Sequence, residues 1–227
     1  MEPSFLRASG WISPDDLANI TLNIIGVGAT GSNLAVTAAK MGFTKFKIWD
    51  ADTVEAHNLP NQAYNISHIG LPKVESLKQV LLDFNPNINI EINSRFFTHA
   101  EDGDSLEGVV VITVDTMSAR KDITNSITLN ENVIFVLETR LGFDYGEINT
   151  INHMSLSALK EWRNTLKDDS EVEAGPCNLQ ICATLVSVIA GGATHAICSY
   201  FVAAKNNETF NYNRNRVFLN PYIRSLT

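Results

Sequence analysis

The apolar positions of this chain fall in short continuous runs separated by stretches of helical spacing, and that order predicts a layered α/β fold. Residues 21–27 read as a fully buried strand, and residues 32–41, rich in Ala and Leu without Pro, as the helix behind it, closed by Gly42. A second short strand spans 46–49 and ends at Asp50. Pro72 suits the start of a helix whose Val74, Leu77, Val80, Leu81 and Phe84 recur on one face, and Asn85-Pro86 stops it. Strand character returns at 88–97, 109–114 and 133–137, with a helix over 117–129 between the last two. This alternation predicts a Rossmann-like, doubly wound, mainly parallel sheet with helices on both faces.

The rest of the chain departs from that rhythm. Residues 53–71 hold three asparagines, two histidines and a proline, a polar connection unlike a simple strand-to-helix loop. Residues 145–152 predict an antiparallel strand, 155–166 a short helix capped by Ser155, 167–175 an acidic loop, and 209–219 a last weak strand. Residues 181–204 run 24 positions without a formal charge, long enough for a membrane span. Ser187, the Gly191-Gly192 pair, Thr194 and His195 moderate that run and no basic cluster flanks it, so a buried helix serving as core or subunit interface is expected, with a membrane span as the alternative.

Composition narrows the function classes. In 227 residues, 17 Lys and Arg face 25 Asp and Glu, and a net charge of −8 argues against a broad nucleic-acid or anionic-membrane surface. The three cysteines, Cys177, Cys182 and Cys198, lack paired C-x-x-C spacing, which supports neither a disulfide framework nor a structural zinc. Residues 1–10 lack the basic-then-apolar pattern of a signal peptide, and a reducing, cytoplasmic location is the expectation.

The strongest chemical signal is Gly26-x-Gly28-x-x-Gly31, between the first strand and its helix. Gly26 permits a tight turn, Gly28 lets backbone approach a phosphate, and Gly31 lets the helix pack on its strand. The helix N-terminus then favours an anion. Taken locally, a nicotinamide or flavin dinucleotide is the commonest ligand of such a turn, yet the chain offers no convincing acid or base for hydride transfer. Asp50, ending the second strand, suits ribose hydroxyls, with a loop-facing carboxylate as the alternative, and Asp52 lies close enough to support it. Lys73 opens a helix behind a proline, where it either reaches phosphate oxygens or is solvated.

With these residues the sequence resembles the ThiF, MoeB and HesA adenylyltransferases, which share a fold with ubiquitin-activating enzymes. The match runs from the glycine turn through Ile48-Trp49-Asp50-Ala51-Asp52, the Asn58-Leu59-x-x-Gln62 part of an N-L-x-R-Q motif, Pro72-Lys73-Val74-Glu75-Ser76 and Asn85-Pro86-x-Ile88, to Asp115 with Arg120 five residues on. The resemblance implies one domain: an N-terminal arm (1–20), a nucleotide-binding core (21–142), a crossing-loop region (143–176) and a C-terminal helix and strand (177–227). It implies ATP and magnesium, with Gly26, Gly28, Ala29 and Gly31 lining the nucleotide and Asp50 on the ribose. Asn58, Asn61, Gln62 and Lys73 would lie toward the phosphates, and Asp115 beside magnesium next to Thr116. Asp115 otherwise caps the following helix.

The implied reaction is activation of the C-terminal carboxylate of a small ubiquitin-like or sulfur-carrier protein, or of a peptide, as an acyl adenylate with release of pyrophosphate. Asn61 stands where the family motif has arginine, and a neutral amide cannot hold phosphate bidentately. A catalytically weak nucleotide-binding interaction protein of the same fold is therefore the alternative. Family members carry an arginine near Arg7 that enters the partner subunit's site, and Arg140 is a second candidate for that part; a surface arginine is the other reading of each. Cys177 lies where some members carry an acyl-accepting cysteine, or else it is a small apolar residue starting a helix, while Cys182 and Cys198 read as inert core. The resemblance, with the apolar 181–204 segment, implies a homodimer.

Overall fold

The computed structural model describes residues 11–142, 145–171 and 183–218. Its elements are α1 (Pro14–Ala18), β1 (Thr21–Ile25), α2 (Ala29–Met41), β2 (Lys45–Trp49), α3 (Lys73–Phe84), β3 (Asn89–Asn93), α4 (His99–Asp102), β4 (Gly108–Ile112), α5 (Met117–Ile127), β5 (Val133–Leu141), β6 (Tyr145–Ile151), α6 (Leu156–Arg163), α7 (Ala183–Lys205) and β7 (Arg214–Phe218). They build a seven-stranded sheet in the order β3-β2-β1-β4-β5-β6-β7. The first five strands are parallel, and β6 and β7 add antiparallel to β5. Strand order reverses between β1 and β4, and in such sheets ligands bind in the crevice outside the strand C-termini at that point.

Side-chain alternation divides the core between the two faces. Leu22 and Ile24 of β1, with Val109 and Val111 of β4, join Leu34, Leu77 and Ile189 from α2, α3 and α7. Ile25, Val110 and Ile112 point the other way, to Ile123 of α5 and Leu159 and Trp162 of α6. Burying a Leu or Ile side chain contributes about 1.5–3 kcal/mol, and a one-residue slip of β1 would exchange its two faces. All five residues of β4 are buried, as expected of a central parallel strand. By length and composition α7 could cross a membrane, but here its buried side, including Leu185, Ile189, Ala193 and Ile197, packs on α2, β5 and β6.

Several boundaries differ from the sequence expectation for identifiable reasons. β1 stops at Ile25 because Gly26 turns the chain at φ 91°, and α2 begins at Ala29, so Gly28 is its N-cap and Gly31 lies in its first turn. β5 continues past Leu137 through Glu138, Thr139 and Arg140, which break the apolar run but satisfy their polar groups inside the protein. The short helices α1 and α4 carry too few apolar repeats to be read from spacing.

Candidate active site

The three glycines of the turn face different surroundings. A Cβ on Gly26 would lie 2.9 Å from the Thr113 carbonyl oxygen, and one on Gly31 only 2.0 Å from that of Gly26. Both glycines therefore serve the close approach of β1, α2 and the end of β4. A Cβ on Gly28 would meet nothing within 4 Å, so the space over it is open. Gly28 caps the 13-residue α2 without a side-chain hydrogen bond to the helix N-terminus. Open space and the positive end of a helix dipole together fit a phosphate group.

Asp50 fixes this turn to β2. Its Oδ2 accepts the Val27 N–H at 2.8 Å and its Oδ1 the Asp52 N–H at 2.9 Å. Burial raises the Asp50 carboxyl pKa above its ordinary value, and Lys73 with the two N–H bonds only partly oppose that. The carboxylate keeps acceptor capacity for a ribose hydroxyl. Lys73 is buried, and its Nζ lies 2.7 Å from Asp52 Oδ2 while its N–H donates to the Asp52 carbonyl. Asp52 is thus the lysine's partner, an ion pair with an exposed carboxylate end that an incoming polyphosphate can compete for.

The polar connection folds over the first turns of α2. Asn58 Oδ1 accepts the Glu55 N–H, and its carbonyl accepts the N–H groups of Asn61 and Gln62. Asn33 of α2 donates to the Asn61 carbonyl at 2.9 Å, and Ala63 N–H donates to Ser32 Oγ at 3.0 Å. The buried Tyr64 hydroxyl donates to the Val27 carbonyl at 2.6 Å. Asn61 Oδ1 and Gln62 Oε1 are buried with no partner among the described residues. Leaving such a group unmet costs about 1–3 kcal/mol, which a bound ligand or water would recover.

Asp115 follows β4 on an exposed bend, with no hydrogen bond to another described residue. Thr113, two residues before it, donates from its Oγ1 to the Gly26 carbonyl at 2.5 Å, which joins this loop to the glycine turn. Thr116, expected beside the nucleotide, caps α5 by accepting the Ala119 N–H at 3.4 Å. Arg120 is buried and donates to the Val114 carbonyl, to Thr139 O and to Glu138 Oε1. Glu138 is fully buried and also accepts from Arg140, Asn149 and Trp162 at 2.6, 2.7 and 3.0 Å. Burial lowers the Arg120 pKa from its ordinary value, with Glu138 opposing. Sequence reasoning missed Glu138, Asn149 and Trp162; the one available signal was a glutamate interrupting an apolar strand.

Arg140 is neither a surface residue nor one that reaches outward. Its guanidinium is held within its own chain by Glu138 and by the Thr165 carbonyl and Oγ1. Arg7, Cys177 and Cys182 lie outside the described residues. Cys198 is buried, which pushes its thiol up to about 12 and leaves it unreactive. Among the described residues no three His, Cys, Asp or Glu side chains gather to hold a metal. A lone exposed carboxylate such as Asp115 still suits magnesium, which usually keeps waters and takes most protein-bound contacts through one or two carboxylates and substrate phosphates. A concavity of about 430 Å³ between α4 and α5, lined by His99, Asp104, Asn125 and Ser126, includes none of the expected site residues.

A model of the ThiF family matches residues 7–222. The chain belongs to the ThiF family. Its relatives include a probable molybdopterin-synthase adenylyltransferase of Porphyra purpurea, 26% identical over 171 residues, 73% of this chain and 44% of that protein. The ubiquitin-like modifier-activating enzyme 5 of Caenorhabditis briggsae is 30% identical over 94 residues, 41% of this chain and 22% of that enzyme. This ThiF chain thus spans less than half the length of either relative. A solved structure of E. coli MccB with ATP shares the ThiF-type fold at a TM-score of 0.65 and 17% identity, over 90% of this chain and 62% of that one.

Proposed function

We propose that this ThiF chain is an ATP-dependent adenylyltransferase that activates the C-terminal carboxylate of a small ubiquitin-like or sulfur-carrier protein, or of a peptide. What supports this reading is the open space over Gly28 at the strand-order reversal, in a turn bonded to Asp50 and tied through Thr113 to the loop that carries Asp115, with Lys73 paired to Asp52 just beyond Asp50. A carboxylate oxygen of the substrate attacks the α-phosphorus of ATP, the α–β bridging P–O bond breaks, and pyrophosphate leaves with that electron pair. Negative charge grows on the phosphates in this step, so the chain's contribution is alignment and positive potential rather than a protein base. Asp50 takes the ribose, the N-terminus of α2 faces the phosphates, and Lys73 exchanges Asp52 for a phosphate oxygen. Asn58 and the side-chain amide N–H groups of Asn61 and Gln62 would donate neutral hydrogen bonds where the family motif has an arginine, while the unmet carbonyl oxygens of Asn61 and Gln62 call for a donor such as a water or a hydroxyl. Magnesium, when bound at Asp115 beside Thr116, would supply further charge neutralisation to the phosphates.

A homodimer belongs to the same proposal. The outward side of α7 exposes Ser187 and Val188, with His195 stacked on Trp11 further along, and Arg7 of a second copy would add the cation that Asn61 does not. Cys177 would accept the acyl group if transfer proceeds through a thioester. The test is exchange of labelled pyrophosphate into ATP with candidate carriers and peptides, repeated with Asp115→Ala. Exchange that needs the acyl substrate and vanishes in the variant supports the reading. ATP binding without exchange for any carboxylate would favour the nucleotide-binding interaction protein instead.

A further inference from the structure

The Asp115 loop is held from three sides, and one of those tethers reaches the start of α5 from the segment after α6. Thr113 ties it to the glycine turn, and Arg120, anchored on Glu138, holds the Val114 carbonyl. The third is Asp169, whose Oδ1 accepts the Met117 N–H at 2.5 Å and whose Oδ2 accepts the Ser118 N–H at 3.2 Å. These are the first two N–H groups of α5, beginning two residues after Asp115. The local cap, Thr116, makes only a long bond to Ala119 N–H, so the helix start relies on a carboxylate more than 50 residues away in sequence. Beside it Asp168 pairs with Lys121 at 2.6 Å, a second tie from the same strap to the same helix. The strap is fixed at its other end too, because Trp162 donates to Glu138 and Thr165 is held by Arg140. Residues 162–169 therefore clamp the start of α5 and the interior Arg120–Glu138 pair to one short segment.

We propose that Asp169 is a positioning residue for Asp115: by fixing the first turn of α5 it sets where the Asp115 carboxylate stands, and it also adds negative potential that favours a divalent cation there. The proposal rests on the reading of Asp115 as the carboxylate that meets magnesium on ATP. A cap that only stabilised the fold would leave the magnesium requirement alone. The experiment titrates magnesium into the full chain at fixed ATP, reading nucleotide binding by calorimetry, and measures ATP binding in EDTA alongside. Asp169→Ala is expected to raise the magnesium concentration for half-maximal effect by about three- to tenfold, the scale of losing a charged cap. Affinity in EDTA should stay as in the unaltered protein. Asp169→Glu should recover part of the loss, and Asp169→Asn, which keeps the shape and one acceptor, should fall between. If Asp169→Ala leaves the magnesium midpoint unchanged while Asp115→Ala moves it, or if it weakens binding equally with and without magnesium, the proposal is overturned. If Asp115→Ala itself leaves the midpoint unchanged, the assignment of Asp115 fails and takes the proposal with it.

Discussion

Gly28 and Gly31 lie three residues apart in one motif, yet substitution should affect them in opposite ways. At Gly28 an added Cβ meets nothing within 4 Å, so Gly28→Ala should cost the fold about 1 kcal/mol, typical of a cap position. That corresponds to roughly 2–4 °C in Tm for a chain of this size. The methyl group would occupy the space assigned to phosphate, and ATP affinity should fall at least about tenfold, or 1.4 kcal/mol, with Gly28→Val worse. At Gly31 the Cβ would lie 2.0 Å from the Gly26 carbonyl oxygen, a backbone atom that cannot swing aside. Relieving that overlap means moving α2 off β1, and Gly31→Ala should cost about 3 kcal/mol or more, at the upper end for overpacking. Thermal unfolding with ATP titration on each variant separates the two effects. The reasoning is wrong if Gly28→Val melts early but binds ATP normally, or if Gly31→Ala is as stable as the parent.

Other substitutions probe the remaining parts of the site. Lys73→Met should lower ATP affinity by about ten- to a hundredfold, the loss of one charge-assisted contact, with an unchanged circular dichroism spectrum. Glu138→Ala should destabilise by about 3–5 kcal/mol in denaturant titration, because it strands the buried Arg120 guanidinium and frees Trp162 and Asn149; a loss under 1 kcal/mol would mean water replaces the hub. Glu147 joins Arg214 and Arg216 of β7 to β6; burial alone would raise its pKa, but the two guanidiniums hold it below the ordinary glutamate range. The folded-state pKa is depressed, so this stabilisation is complete above the unfolded value near 4.3 and is lost as pH falls through the folded one. Amide exchange of β7 should therefore accelerate only in that acid window, and in Glu147→Gln it should be fast already at neutral pH.

What was legible in the sequence was whatever the backbone encodes locally. The order of strands and helices follows from periodicity, and the uses of Gly26 and Gly31 follow from turns and close packing that only glycine allows. Asp50 and Lys73 stand out because they sit at fixed distances from a strand end and a helix start. Contacts across long separations were not legible. Nothing in residues 72–76 says that Lys73 pairs back onto Asp52, and nothing near Thr116 says that Asp169 reaches the same helix. The Glu138 hub draws on Arg120, Asn149 and Trp162 from three elements, and its charge hid the second half of β5 from an apolar count. Arg140 read as a candidate to reach outward because its sequence neighbours do not reveal Thr165.

The origin of an oxygen atom tests carboxylate activation most directly. A carrier protein or peptide that supports pyrophosphate exchange is labelled with ¹⁸O in its C-terminal carboxylate, incubated with ATP and magnesium, and the acyl group is captured with hydroxylamine. Adenylation places one carboxylate oxygen between carbon and phosphorus, and capture cleaves the carbon side, so the account predicts AMP carrying one ¹⁸O together with pyrophosphate. Unlabelled AMP, or ADP and phosphate as the products, would contradict it.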